Sequence, residues 1–255
     1  MIPKNIYRVS INLNHNHRAV KKYLRKAAFF SKGYNNILFT ELKELDDFVN
    51  QNYSGEIADC YNKLNILVAK IDFWRYLYLY KFGGIYIDMD STIKKNINDL
   101  IREDDQAIIT MENNFGRYVQ WCLIFKKNHP ILKNTIDVIV KNIKENSKKC
   151  VTELTGPVAF AEGINKTHIE LFDEEIDFAK HQKRETNIRF EKDNINYRLF
   201  GIDYNDYCLF KDERVAKALY SKGIKHWVEE QKDKNLVNPI NILNISSDKH
   251  YLQND

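Results

Sequence analysis

An α/β fold built on a sheet with parallel pairings is predicted for this chain by three features of its sequence. From Leu64 to Phe82 the residues are apolar and aromatic, with neither Gly nor Pro, and the stretch is long enough for a buried helix. It stops at Gly83-Gly84, a pair suited to a helix C-cap followed by a tight turn. Ile85-Tyr86-Ile87 then reads as a short buried strand, and helices that feed such strands belong to sheets with parallel pairings.

The remaining elements follow in order. Ile2 to Ile11 holds β-forming residues bounded by Pro3 and the polar stretch Asn12 to His17, which predicts a first strand. A basic helix is expected over Arg18 to Phe30, then a turn at Gly33 to Asn36 and a strand at Ile37 to Thr40. Glu41 to Asn50 has helical periodicity, with Thr40 as its expected N-cap. Ala107 to Met111 and Val119 to Phe125 read as strands, and Ile131 to Lys144 as an amphipathic helix opening after His129-Pro130. Thr155-Gly156-Pro157 is a turn that starts a helix through Ala161. His168 to Phe172 and Ile188 to Phe200 are expected as strands, and the tail after Trp227 carries no clear pattern.

With 255 residues, no internal repeat and no Pro/Gly/Ser-rich linker, residues 1–255 are expected to form a single domain. A hydrophobic share of 44% and a charged share of 29% are those of an ordinary globular protein. The net charge of +4, from 39 basic and 35 acidic residues, is too even to point to nucleic acid. Basic clusters at Arg18 to Lys26 and Lys141 to Lys149 read as solvated helix faces, or as surfaces for an anionic lipid or polyanionic acceptor. The four cysteines are scattered and form no CxxC pair, which excludes zinc-type spacing and fits a reducing, cytoplasmic setting. No run of about 20 uncharged apolar residues is present to span a membrane. The N-terminus lacks an apolar signal core, and peripheral attachment at a membrane stays open.

The chemistry concentrates at Asp88-Met89-Asp90. If the strand continues through them, residues two apart share a face, so Tyr86, Asp88 and Asp90 point together at its carboxyl end, where open α/β sheets bind ligands. Two adjacent carboxylates repel unless a positive charge joins them. A hard divalent cation, Mg²⁺ or Mn²⁺, meets that need and also binds substrate phosphates. In the preceding helix Asp72 and Arg75 lie three apart and share a face. They form either a surface ion pair or a donor site, with the carboxylate taking sugar hydroxyls and the guanidinium a phosphate or carboxylate oxygen.

Ala69-Lys70-Ile71-Asp72-Phe73-Trp74-Arg75 followed by Tyr80-Lys81-Phe82-Gly83-Gly84-Ile85-Tyr86-Ile87-Asp88-Met89-Asp90 resembles the DXD-containing sugar-binding region of glycosyltransferases. That family includes capsular polysaccharide transferases and the yeast outer-chain mannosyltransferase, with the large clostridial glucosylating toxins as more distant relatives. Ile2 to Tyr7, Gly33 to Thr40, His129-Pro130, Thr155 to Pro157 and His226-Trp227 follow in the family's order. The resemblance implies a GT-A fold, with a mixed, mostly parallel central sheet flanked by helices. It also implies a nucleoside-diphosphate sugar donor, UDP favoured over GDP, and transfer with retention to a glycan or glycolipid acceptor. Carried onto this sequence, Asp90 ligates the metal, Asp88 contacts the ribose or sugar beside it, and His226 is a further metal ligand. Asp72 and Arg75 hold the donor sugar, Tyr86 lies near the nucleotide, Ile6 and Tyr7 form part of the base pocket, and Trp227 sits beside the diphosphate. No nucleophile or catalytic base is implied. Three positions depart from the family: Ile71 replaces a Ser, Tyr7-Arg8-Val9 replaces a His-Gln pair and its sequel, and the small residue and second Trp after His226-Trp227 are missing.

Two other classes fit parts of the pattern. Ile85 to Ile93 also matches the apolar-DxDxT-apolar pattern of haloacid-dehalogenase-type phosphatases, with Gly201 to Asp206 imitating their later acidic motif. A carbohydrate-binding protein that keeps the fold but not turnover is the non-enzymatic alternative.

Overall fold

The computed structural model describes residues 1–93, 95–113, 116–206, 209–220 and 227–238. Along the chain run β1 (Asn5–Val9), α1 (Arg18–Phe30), β2 (Asn35–Phe39), α2 (Leu42–Asn52), α3 (Glu56–Lys63) and α4 (Leu67–Phe82). Next come β3 (Gly84–Ile87), β4 (Ser91–Ile93), β5 (Ala107–Thr110), β6 (Cys122–Phe125), α5 (Pro130–Glu145), α6 (Val151–Leu154) and α7 (Pro157–Phe172). The last are α8 (Phe178–His181), β7 (Asn187–Lys192), β8 (Ile195–Phe200), β9 (Leu209–Lys211), α9 (Glu213–Leu219) and α10 (Trp227–Asp233).

Seven strands make one sheet in the order β2-β1-β3-β6-β5-β8-β7, and β4 pairs with β9 apart from it. β1 lies parallel to β2 and β3, and β5 parallel to β8, while β3–β6, β5–β6 and β7–β8 are antiparallel. The sheet is therefore mixed, but its pairings divide evenly instead of being mostly parallel. The cause is loop length: the connections β5–β6 and β7–β8 are too short to hold a crossover helix, so each reverses direction.

Alternation along the strands sends side chains to two layers. Tyr7, Val9, Tyr86 and Leu123 pack with α4, α5 and α7, whereas Ile6, Ile85, Ile87 and Ile124 pack with α1 and α9. Helix α4 is buried on nearly every side, including Phe73, Trp74, Tyr76 and Leu77, as an all-round apolar helix must be. Gly83 caps it at φ +66°, and a Cβ there would meet the Lys127 nitrogen at 2.6 Å. Gly84, at φ +110°, lets β3 start against Tyr7, whose ring a Cβ would reach at 2.8 Å.

Several boundaries differ from the sequence reading. The N-cap of α2 is Glu41, not Thr40; the Glu44 carboxylate accepts the Thr40 and Glu41 N–H groups in a capping box. His168 to Phe172 is the end of α7, not a strand, and Asp173 in the left-handed region closes it. Ile188 to Phe200 is a hairpin turned by Asp193 and Asn194, both at positive φ.

Candidate active site

Strand β3 ends at Ile87, and Asp88-Met89-Asp90 forms the turn into β4. The Asp88 N–H donates to Trp121 O at 2.8 Å, and the Ser91 N–H to Asp88 O at 3.0 Å. The two carboxylates thus meet through a turn and not through strand alternation, which corrects the geometry expected from the sequence. Both still border one cleft of about 490 Å³, together with Val9, Ile71, Arg75 and Tyr86. Lys217 and Leu219 of α9, with Tyr220 at its C-cap, form the opposite wall. The main chain joins the two sides, since the Asp212 N–H donates to Asp90 O at 2.7 Å.

Asp72 and Arg75 are not a surface pair. They are 5% and 4% exposed, with 2.6 Å between Arg75 Nη2 and Asp72 Oδ1. Arg75 Nη1 donates to Gln120 O at 3.0 Å and lies 3.4 Å from Asp88 Oδ1, and its guanidinium covers the Tyr86 ring at 4.4 Å. Tyr86 in turn donates its hydroxyl to Asp88 Oδ1 at 3.0 Å. Burial works against the Arg75 charge, but Tyr86, Asp72 and Asp88 more than offset it and hold the guanidinium above its ordinary value. Burial pushes the Asp72 carboxyl up, to about 7, opposed by Arg75. The second Asp72 oxygen accepts from Thr155 Oγ1 at 3.3 Å, which ties the Thr155-Gly156-Pro157 turn to the site. Arg75 borders the cleft; Asp72 stands behind it and orients it.

Arg8, noted in the sequence only as a departure from the family, is a residue of the site. Only 3% exposed, it reaches across from β1 and donates Nη1 to Asp88 O at 2.8 Å and to Ser91 O at 3.3 Å. One guanidinium therefore ties both ends of the acidic turn. Nothing local marks this role, because its acceptors are backbone carbonyls some 80 positions away.

Ile6 and Tyr7 are not brought to the cleft. Their side chains lie in the two core layers, Ile6 against Ile85 and Tyr7 against Tyr78. The cleft instead reaches the end of β1 a few residues later. Past Leu13, Val68 and Ile71 it opens into hollows of about 350 and 700 Å³ bordered by Asn12, Ser10, Thr40 and Lys70. His226 lies outside the described residues; Trp227 begins α10, and its side chain is likewise outside them. Asp203, in the segment that imitates a phosphatase motif, begins a short 3-10 turn away from the cleft lining.

Among the described residues no cluster of three or more His, Cys, Asp or Glu side chains forms a complete metal cage. Two carboxylates beside an open cleft nevertheless fit Mg²⁺ or Mn²⁺, which commonly take one or two protein carboxylates and fill their coordination with water and substrate phosphate.

Residues 17–107 match the model of the glycosyltransferase sugar-binding region containing the DXD motif. The chain is 29% identical over 150 residues to an uncharacterised glycosyltransferase of Acanthamoeba polyphaga mimivirus, spanning 58% of each protein. It is 26% identical over 131 residues to the initiation-specific alpha-1,6-mannosyltransferase of Candida albicans, covering 42% of this chain and 34% of that one. With the inositol phosphoceramide mannosyltransferase 1 of Schizosaccharomyces pombe it shares 30% over 109 residues, 43% of this chain and 33% of the relative. The chain thus spans about three-fifths of the viral relative and about a third of these two yeast ones. Among solved structures, the glycosyltransferase PaToxG superposes with a TM-score of 0.53 at 21% identity, covering 65% of this chain and 69% of that one, a likeness of fold. Residues 17–107 are thus similar to the glycosyltransferase sugar-binding region containing the DXD motif, and they are carried on a GT-A fold.

Proposed function

We propose that the chain works as a single metal-dependent glycosyltransferase domain. It would take a sugar from a nucleoside diphosphate, UDP in preference to GDP, and pass it with retention to a glycan or glycolipid. The observation that carries this reading is the convergence of Asp88, Asp90, Arg75 and Tyr86 on one cleft in the segment that matches the family.

Asp90 and Asp88 are the side chains that would hold Mn²⁺ or Mg²⁺, with Asp88 also turned to the ribose or sugar. When bound, the cation supplies a charge that stabilises the departing diphosphate. Arg75, already cationic and fixed by Asp72 and Gln120, offers a rigid donor to a phosphate or sugar oxygen. Tyr86 holds Asp88 Oδ1 in place. Lys217 on the facing wall adds a second cation for the diphosphate. The hollows beyond Ile71, bordered by Ser10 and Asn12, would take the nucleoside. This puts the base pocket beyond Ile6 and Tyr7 instead of on them. His226 and Trp227 are retained in the proposal as residues that complete the site from the C-terminal segment.

The test is nucleoside diphosphate release from a panel of UDP- and GDP-sugars with Mn²⁺, for wild type and the Asp88→Asn/Asp90→Asn double variant. Slow donor hydrolysis by wild type alone is expected. Equal rates in the two proteins would refute the site. Cleavage of phosphomonoesters in place of sugar nucleotides would favour the phosphatase class, and acceptor binding without any turnover the binding-only protein.

A further inference from the structure

Helix α1 carries five cations, Arg18, Lys21, Lys22, Arg25 and Lys26, and no acidic residue. Its inner face, Val20, Tyr23 and Ala27, is buried in the core, and all five cations are exposed. Their three- and four-residue spacing gathers them on the outer face, and Phe29, four residues past Arg25, continues it with 77% of its surface in solvent. Phe30 packs edge-on against Phe29 at 5.3 Å, and Lys26 lies over the Phe30 ring.

A second basic cluster, Lys141 to Lys149, provides an internal comparison. There Lys141 pairs with Glu145, Lys144 with Glu56 and Lys148 with Glu162, so three of its four lysines are matched within the protein. Among the described residues none of the five α1 cations has such an ion pair. On the flank of the helix, Lys22 and Lys26 border a hollow of about 360 Å³ together with Arg214 and Asp212, which pair with each other at 3.6 Å and leave the two lysines as its unmatched charges among the described residues.

We propose that the outer face of α1 docks on an anionic lipid bilayer, with Phe29 entering the interface and Lys22 and Lys26, at the rim of the hollow, meeting phosphate headgroups. Unmatched like charges along one helix repel one another, and a negatively charged surface removes that repulsion. A soluble polyanion would satisfy the charges but leave Phe29 in water. Cations flanking an exposed phenylalanine on an amphipathic helix are the chemistry of an interfacial helix. Helix α1 also packs against β4 and α9, the elements that leave the acidic turn and wall the cleft. Docking through α1 therefore holds the cleft beside the bilayer, so that the acceptor is one presented by the membrane. That last step rests on the transferase reading; the docking itself does not.

Sedimentation with vesicles of phosphatidylcholine alone, or mixed with phosphatidylglycerol, tests the proposal. Wild type should sediment with the mixed vesicles only, and added salt should release it. The Lys21→Gln/Arg25→Gln variant should partition about 30-fold more weakly, since each cation near an anionic surface contributes about fivefold. Phe29→Ser should weaken binding at unchanged net charge. Both variants should keep the wild-type unfolding temperature and donor hydrolysis, and the Asp88→Asn/Asp90→Asn protein should sediment like wild type, so failure of docking and failure of the transferase reading are told apart. Absence of sedimentation, equal binding to neutral vesicles, or undiminished binding by Lys21→Gln/Arg25→Gln would overturn the proposal. Retention on heparin without vesicle binding would also overturn it and assign the face to a soluble polyanion.

Discussion

Arg8→Met tests whether the acidic turn is held from behind. Methionine keeps much of the aliphatic stem, but removes the guanidinium that lies over the Tyr23 ring and donates to Asp88 O and Ser91 O. A hydrogen bond from a charged donor contributes about 1.5–3 kcal/mol net. The 2.8 Å bond belongs at the upper end and the 3.3 Å bond well below it. Two opposing effects reduce the sum: Asp88 O keeps the Ser91 N–H, and removing a buried cation recovers part of its desolvation cost. About 3 kcal/mol remains, which for a chain of this size lowers Tm by about 6–12 °C. The turn should also hold Mn²⁺ about tenfold more weakly, the usual consequence of losing a residue that orients metal ligands. Thermal unfolding and Mn²⁺ titration measure the two effects, and Arg8→Lys, with its charge but not its fork, should fall between. If Arg8→Met melts within about 1 °C of wild type and binds Mn²⁺ as tightly, Arg8 does not organise the turn.

Arg75→Lys keeps a cation but cannot span Asp72, Gln120 O and Asp88 together; donor turnover should drop at least tenfold while the protein still folds, as read by nucleoside diphosphate release and circular dichroism. Gly163→Ala places a Cβ 2.2 Å from Thr135 Oγ1 and 2.7 Å from its backbone where α7 crosses α5, and should cost about 1–3 kcal/mol in denaturant unfolding. His129 caps α5 by accepting the Ile131 N–H at Nδ1, while Nε2 meets Asn196 O, so the neutral ring is the one that fits. Burial depresses its pKa to about 4 from 6.5. Its share of stability is therefore present above 6.5 and lost as pH falls through about 4, and the difference between wild type and His129→Asn in unfolding free energy should shrink across that window.

Elements with strong local signals were legible in the sequence. Helix α1 has the bounds that its charge and apolar pattern predict, and Gly83-Gly84 ends α4 as expected. Asp88, Asp90, Arg75 and Tyr86 do come together. The errors share a cause, which is that pairing partners are invisible to local pattern. His168 to Phe172 was short and apolar, where helix and strand cannot be told apart by period, and its continuity with Pro157 decided for helix. The Asp193-Asn194 turn was readable, since such residues tolerate positive φ, but the strands on either side masked it. Arg8 was hidden because its acceptors are main-chain oxygens, and no residue type announces those.

Strand β3, which delivers the acidic turn, has β1 on one side and β6 on the other. Its second neighbour is thus made by residues 122–125, beyond the stretch that matches the sugar-binding family. A fragment cut after residue 107 would leave the apolar ladder Ile85-Tyr86-Ile87 with open hydrogen-bonding groups, a template for self-association. The family motif in this protein is consequently not an excisable module: the downstream chain protects the very strand that carries it.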